Sequence, residues 1–298
     1  MTLFSLQDAK KSRRTSLFVS DLHGRIGRYE KLFQAIGRER PRAVFLGGDL
    51  LPSARAVTPY SMSPPGFIRD CLVKPFARLR RELGTAHPHV FLILGNDDGC
   101  LGEPALREGE DAGLWQYVHN RKVPLDDVTV YGYACVPPTP FLLKDWERYD
   151  VSRYTEPGAI SPEEGIRTGS VPADVPRFAT IKNDLASLAG NESLERSVFL
   201  FHTPPHDTAL DLAAIAGKKV DHAPLDPHVG SIAVRRFIEE RQPLLTLHGH
   251  IHESARLTGE WRDRIGRTRM FSAAHDGPEL ALVRFDLEDL DGASRELL

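Results

Sequence analysis

Asp21 and His23 stand one residue apart, and so do His250 and His252. On an extended strand end, residues i and i+2 point to the same side, so each pair can reach a single ion. Asp49, Asn96 and His202 offer one donor each from three other places in the chain. Together these side chains mix imidazole, amide and carboxylate donors in a number too large for one tetrahedral zinc ion. The mixture suits two divalent ions sharing a bridging carboxylate, at the ~3.5–4 Å separation of two-metal hydrolytic sites. Each segment alone has an ordinary explanation. Gly48-Asp49 or Gly95-Asn96-Asp97-Asp98 is also simple turn chemistry, and a single histidine such as His202 is commonly a satisfied core group. The signal lies in the order and placement of all five.

The elements that must position them are short apolar runs that end abruptly in polar residues: Leu17–Val19, Ala43–Leu46, Val90–Leu94, Val198–Phe201 and Leu244–Leu247. Continuous apolar runs of this length, bounded by Gly or Pro, read as strands covered on both faces. Helical patterns lie between several of them, over Tyr29–Arg38, Phe67–Leu83 and Ile232–Arg241. The alternation predicts an α/β sheet. Each reactive side chain then falls at the carboxyl end of a strand, where open α/β sheets form their binding crevices. Residues from about 137 to 176 are rich in Pro, Gly and charge, too poor in apolar residues for a core of their own. They read as a long excursion over the sheet edge, within one domain spanning residues 1–298. After His252 the pattern turns antiparallel, with β-like stretches at Arg256–Gly259, Arg267–Ser272 and Leu280–Leu287.

Composition removes several classes. Lys+Arg number 38 against 41 Asp+Glu, a net charge of −3, so sequence-independent nucleic-acid binding by charge excess is not expected. The three cysteines form no Cys-x-x-Cys pair, which argues against a thiolate zinc site or a disulfide framework. No apolar run approaches the ~20 residues of a membrane helix. Lys10, Lys11, Arg13 and Arg14 precede only Leu17-Phe18-Val19, far short of the ~7–15 apolar residues of an export signal. The expectation is a cytoplasmic protein with a solvated basic tail and no membrane partner. The oligomeric state is left open.

In order, Asp21-Leu22-His23, Gly48-Asp49, Gly95-Asn96-Asp97-Asp98, His202 and Gly249-His250-Ile251-His252 resemble the blocks of the calcineurin-like metallophosphoesterase superfamily. The text around Phe201-His202-Thr203-Pro204-Pro205 and Lys144-Asp145-Trp146-Glu147-Arg148 is most similar to its Icc-related branch. The resemblance implies an α/β (α+β) fold built as a four-layer αββα sandwich. It implies one metal on Asp21, His23, Asp49 and His252, and a second on Asn96, His202 and His250, with Asp49 bridging. It further implies two divalent ions, manganese first, with iron, zinc, nickel or magnesium as alternatives. A metal-bridging hydroxide would attack the phosphorus of a small phosphoester.

The superfamily usually carries a histidine after the Asn of its third block, held to protonate the leaving group, and here that position is Asp97. An aspartic acid near pKa ~3.9 is a poor donor at neutral pH unless burial raises it. Branches lacking that histidine tend to favour phosphodiesters. Candidate substitutes are His206, four residues past His202, and His248, a strand residue pointing with His250 and His252. Arg25, directly after Gly24, is a candidate phosphate contact. His275-Asp276 is a more distant candidate, and His87, His89, His119, His222 and His228 read as surface histidines. Lys144, Trp146, Arg148 and Tyr149 form either a base-stacking platform or the excursion's own small core with salt bridges. There is no Gly-rich phosphate loop or nucleophile elbow, and Asn96–Gly99 does not fit a calcium loop. The expected function is a dimetal phosphoesterase hydrolysing phosphodiester bonds of a small, nucleotide-like substrate. The alternatives are a phosphomonoesterase, or a non-catalytic scaffold on a degenerate fold.

Overall fold

The computed structural model describes residues 14–53 and 63–298. Lys10, Lys11 and Arg13 of the expected basic tail lie outside the described residues. Strand β1 (Thr15–Val19) leads through helix α1 (Ile26–Glu39) to β2 (Ala43–Gly47). A helical path follows, α2 (Pro64–Phe67), a π turn over Ile68–Val73 and α3 (Lys74–Leu83), where the sequence predicts one helix. Then come β3 (His89–Ile93), α4 (Glu103–Asp111), β4 (Gln116–Tyr117), β5 (Arg121–Leu125) and β6 (Val128–Tyr133). Between Tyr133 and α5 (Asp174–Phe178) there is neither helix nor strand, only isolated bridges such as Val136 with Glu147 and Tyr149 with Thr180. Next are α6 (Ile181–Ala189), β7 (Ser197–Phe201), the short β8 (Lys219–Val220) and β9 (Ala223–Pro224), α7 (Ile232–Arg241) and β10 (Leu245–His248). The chain closes with α8 (Ser254–Thr258), β11 (Arg262–Ile265), β12 (Thr268–Ser272), β13 (Ala281–Asp286) and β14 (Asp289–Leu297).

The strands make two six-stranded mixed sheets, β14-β13-β1-β2-β3-β4 and β11-β12-β10-β7-β6-β5, and β8-β9 pair separately. In each large sheet the central strands are parallel. Antiparallel pairing closes both edges of the second sheet and the β13–β14 side of the first, whose other edge, β4, is parallel to β3. That is why the central runs are apolar throughout: β1 to β3 and β7 are buried on both faces. β2 and β3 lie against β6 and β7, and Phe271 of β12 meets Phe285 of β13 across the two sheets at 5.9 Å. On the outer sides, Phe76 of α3 packs edge-on to Trp115 at 5.7 Å, and Phe237 of α7 to Phe199 of β7 at 5.0 Å. Helix, sheet, sheet, helix is the four-layer αββα arrangement, with one continuous apolar core through both sheets. No helix among the described residues is long and apolar enough to cross a membrane.

Two expectations are corrected. Arg256–Gly259 is not extended: it belongs to α8, one helical turn stopped by Gly259 at φ 79°. Nor is the C-terminal region one antiparallel unit, since β12 runs parallel to β10 in the second sheet while β13 and β14 join the first. In the excursion, Lys144 and Glu147 are fully buried and paired at 2.5 Å, with Trp146 and Tyr149 also buried. Burial pushes the Glu147 carboxyl up to about 7, against the pull of the Lys144 ammonium. Lys144, Glu147 and Tyr149 pack within the excursion while Trp146 joins the main core beside His119, so these residues are not an exposed stacking platform.

Candidate metal centre

The first sheet delivers Asp21, His23, Asp49 and Asn96 in the loops after β1, β2 and β3, and the second delivers His202, His250 and His252 after β7 and β10. Donor atoms of Asp21, His23, Asp49 and His252 all lie within 4.8 Å of one another. His252 Nε2 is 3.1 Å from both Asp21 Oδ1 and His23 Nε2. On the other flank, His202 Nε2 is 3.1 Å from Asn96 Oδ1 and 3.4 Å from Asp49 Oδ2, and the His202 and His250 rings lie 5.2 Å apart. The Asp49 carboxylate stands between the flanks, since the same Oδ2 is 3.7 Å from His23 Nε2.

The convergence is not made by extended strand ends. Asp21, His23, Asp49 and His250 have φ of 57°, 48°, 50° and 73°, the left-handed region in which non-glycine residues are uncommon. The chain turns sharply past each strand, and backbone bonds brace the turns: Asp21 N–H donates to Gly48 O at 3.0 Å and His23 N–H to Asp49 O at 2.8 Å. Gly48, at φ 96°, lets the turn approach His202. A Cβ there would lie 2.6 Å from His202 Nδ1.

Supporting groups fix each donor. His202 Nδ1–H donates to Gly47 O at 2.8 Å, which aims Nε2 at Asp49. Asp97 Oδ2 is 3.3 Å from His23 Nδ1, its Oδ1 accepts from Ser53 Oγ, and its backbone N–H donates to Asp49 Oδ1 at 2.8 Å. Burial lowers the His23 imidazole, but Asp97, Asp49 and Asp21 outweigh it and raise it to about 9. His202 likewise reaches about 9, because Asp49 and Asp21 overcome burial. Burial raises Asp21, yet its bond to His252 holds it at about 2, and His202 and His23 keep Asp49 well below the usual carboxylate range. His250 is half-buried, and desolvation, with His202 beside it, lowers its imidazole to about 3. A negative potential that lifts two imidazoles, and two imidazole nitrogens 3.1 Å apart beside buried carboxylates, is a donor set a divalent cation fits.

Two residues missed in the sequence complete the scaffold. Arg28, buried on α1, donates to the backbone oxygen of Asp21 and to Gly277 O. Asp98 is fully buried and accepts from the amides of Leu50, Leu51 and Gly95 at 3.0, 2.7 and 2.9 Å, tying the loops after β2 and β3 together. Burial beside Asp49 pushes Asp98 up to about 7. Asp98 ends the Asn96-Asp97-Asp98 run and was within reach of a sequence reading; Arg28 had no local signal.

The remaining candidates separate cleanly. A cavity of about 540 Å³ is lined by His23, Asp49, Asn96, His250 and His252, by Asp97 and His206, and by parts of the excursion and of residues 206–232. His206 is half-buried, with Nε2 3.1 Å from Asp226 Oδ2. His248 does not line the cavity: it is fully buried in β10, donates from Nδ1 to Thr203 O at 2.9 Å and accepts from Thr246 Oγ1 at 2.7 Å. Burial lowers it to about 4. Strand register had it pointing with His250, but the left-handed turn at His250 swings the later donors away. Arg25 is exposed, outside the cavity, and donates to Gly277 O at 2.8 Å. His275 Nε2 lies 3.0 Å from Glu279. Among the histidines read as surface groups, His89 and His222 are exposed, whereas His119 accepts from Ala134 N–H at 3.0 Å and is lowered to about 3 by burial. His228 is half-buried against Asp211 at 2.8 Å.

Known structures repeat this fold. TT1561, a protein of Thermus thermophilus, is 18% identical with a TM-score of 0.55, over 96% of this chain and 99% of that one. A dimetal phosphatase from Danio rerio is 13% identical with a TM-score of 0.50, over 91% of each chain. No curated protein matches the chain in sequence. The family model of the calcineurin-like phosphoesterases matches residues 15–254, which includes every donor described above. The chain belongs to the calcineurin-like phosphoesterase family.

Proposed function

We propose that the protein is a two-metal phosphodiesterase acting on a small phosphoester. The observation that carries this reading is the Asp49 carboxylate, faced from one flank by His23 and from the other by His202. Asp21, His23, Asp49 and His252 would hold one divalent ion, and Asn96, His202 and His250 the other, with Asp49 shared. The ions would supply a water that ionises near neutral pH and positive charge for the phosphoryl oxygens. The chain's own residues orient this set: Asp97 fixes the His23 ring, Gly47 O fixes that of His202, and Arg28 pins the Asp21 backbone.

Proton delivery to the leaving oxygen falls to His206. Asp97 has one carboxylate oxygen on Ser53 and the other on His23, and both nitrogens of His248 are engaged away from the cavity. His206 alone of the three faces the cavity with a carboxylate partner, Asp226, that orients an imidazole. A monoanionic diester also suits a cavity with no lysine or arginine among its described lining residues better than a dianionic monoester does. Cys71, Cys100 and Cys135 form no disulfide, which fits a reducing compartment such as the cytoplasm.

The test is metal analysis of the purified protein, paired with hydrolysis of an aryl phosphodiester and its monoester after manganese loading. About two equivalents of metal and faster diester turnover are expected, with both activities lost in Asp49→Asn. No turnover of either ester at full loading would sink the proposal and favour a scaffold role.

A further inference from the structure

Beyond the donors, the cavity walls come from the excursion and from residues 206–232. Much of that wall is apolar: Pro138, Phe141, Val151, Ile215, Leu225 and Ile232 all face it. Its carboxylates outside the donor loops are Asp150, Glu156, Asp226 and Glu253, and no lysine or arginine is among the described lining residues. The imidazoles of His206 and His228 each face a carboxylate of the chain, Asp226 and Asp211. The composition is opposite to that of a site for several phosphates, which needs cationic forks or exposed amides.

The one helix start among the described lining residues that could take an anion is already filled. At the N-terminus of α7, Asp150 accepts from the amide of Ile232 at 2.7 Å, from that of Ala233 at 3.2 Å and from Ser231 Oγ at 2.5 Å. The amides that would otherwise cradle a phosphate are spent on the chain's own carboxylate. A second anionic group on a ligand would therefore meet carboxylates, apolar surface and imidazoles already paired with carboxylates, with no lysine, arginine or free helix start among the described lining residues to offset its desolvation.

We infer that the substrate is an ester of a single phosphate whose organic part is apolar and carries no second anionic group. The inference rests on the phosphoesterase reading and narrows it, excluding nucleotides with two or more phosphates and sugar bisphosphates. The Ile215, Leu225 and Val151 wall receives the organic part, while the phosphate lies at the donors.

Three p-nitrophenyl phosphodiesters test it on the full, manganese-loaded chain: the methyl ester, the hexyl ester and the 5-carboxypentyl ester. They share a leaving group, so differences report the tail. The hexyl ester should exceed the carboxypentyl ester by at least about tenfold in kcat/KM. The non-hydrolysable hexyl and 5-carboxypentyl methylphosphinates, in which carbon replaces the ester oxygens, titrated calorimetrically, should show the same order in Kd. Leu225→Lys should narrow or reverse the gap. Equal or reversed preference in the unaltered protein overturns the inference while leaving the phosphoesterase reading in place. Failure to hydrolyse any of the three, the methyl ester included, takes down that reading and the inference with it.

Discussion

At the scale of single residues, the centre is a negative pocket that holds protons where metals would sit. His23 and His202 are both raised to about 9 by neighbouring carboxylates. Both are protonated at pH 7 when no cation is present, and a metal takes only the neutral imidazole. Metal binding at pH 7 should then release about two protons, and its affinity should climb with pH until about 9. Calorimetric titration with manganese in buffers of different ionisation enthalpy measures that release; none at pH 7 would contradict it. The His206 assignment has its own signature. In His206→Gln, hydrolysis of an alkyl leaving group should fall by about 10²–10³, with much less loss for p-nitrophenol, which departs without a proton. A uniform loss across leaving groups would mean that His206 acts only on the cavity's shape. The donors themselves were legible because Asp, His and Asn close apolar runs. Their convergence was not. It depends on left-handed turns at Asp21, His23, Asp49 and His250. Asp and His are enriched in that region, but most Asp and His lie outside it, so residue type alone does not place the turns.

At the scale of elements, strand and helix placement followed from the sequence where a run was long or bounded. Helix α7 spans Ile232–Arg241 as its amphipathic pattern predicts, with Ser231 Oγ accepting from Val234 N–H at 3.0 Å as its cap. The five-residue α8 was not legible, because a single turn shows no period, and Leu257-Thr258 ahead of Gly259 reads as strand and turn. Among the contacts that tie the excursion to this framework, Asp150 on the start of α7 is the best built. Asp150→Ala removes a cap-like partner from two amides and a hydroxyl, and should cost about 2 kcal/mol of stability. Hydrogen exchange should also quicken in residues 150–166 ahead of the sheets. Unchanged exchange there would show that Lys144 and Glu147 hold the excursion by themselves.

At the scale of the whole molecule, the two sheets share one core, and Phe271, 1% exposed, stands between them against Phe285. Phe271→Ala should lower stability by about 3–5 kcal/mol, and both sheets should still melt in one transition. Separate transitions for the two sheets, followed by calorimetry, would show that the core is divided. Strand order adds a temporal consequence. β1, which precedes Asp21, is flanked by β2 on one side and by β13 on the other, and β13 in turn by β14. During synthesis β1 emerges well before β13, so its second edge waits for that strand, and the donors span Asp21 to His252. Until β13 follows, a nascent chain thus carries an open sheet edge, and until His252 follows, an incomplete metal site, a long interval for pairing with the wrong strand. The strands that no donor depends on, β13 and β14, are the ones that end that exposure.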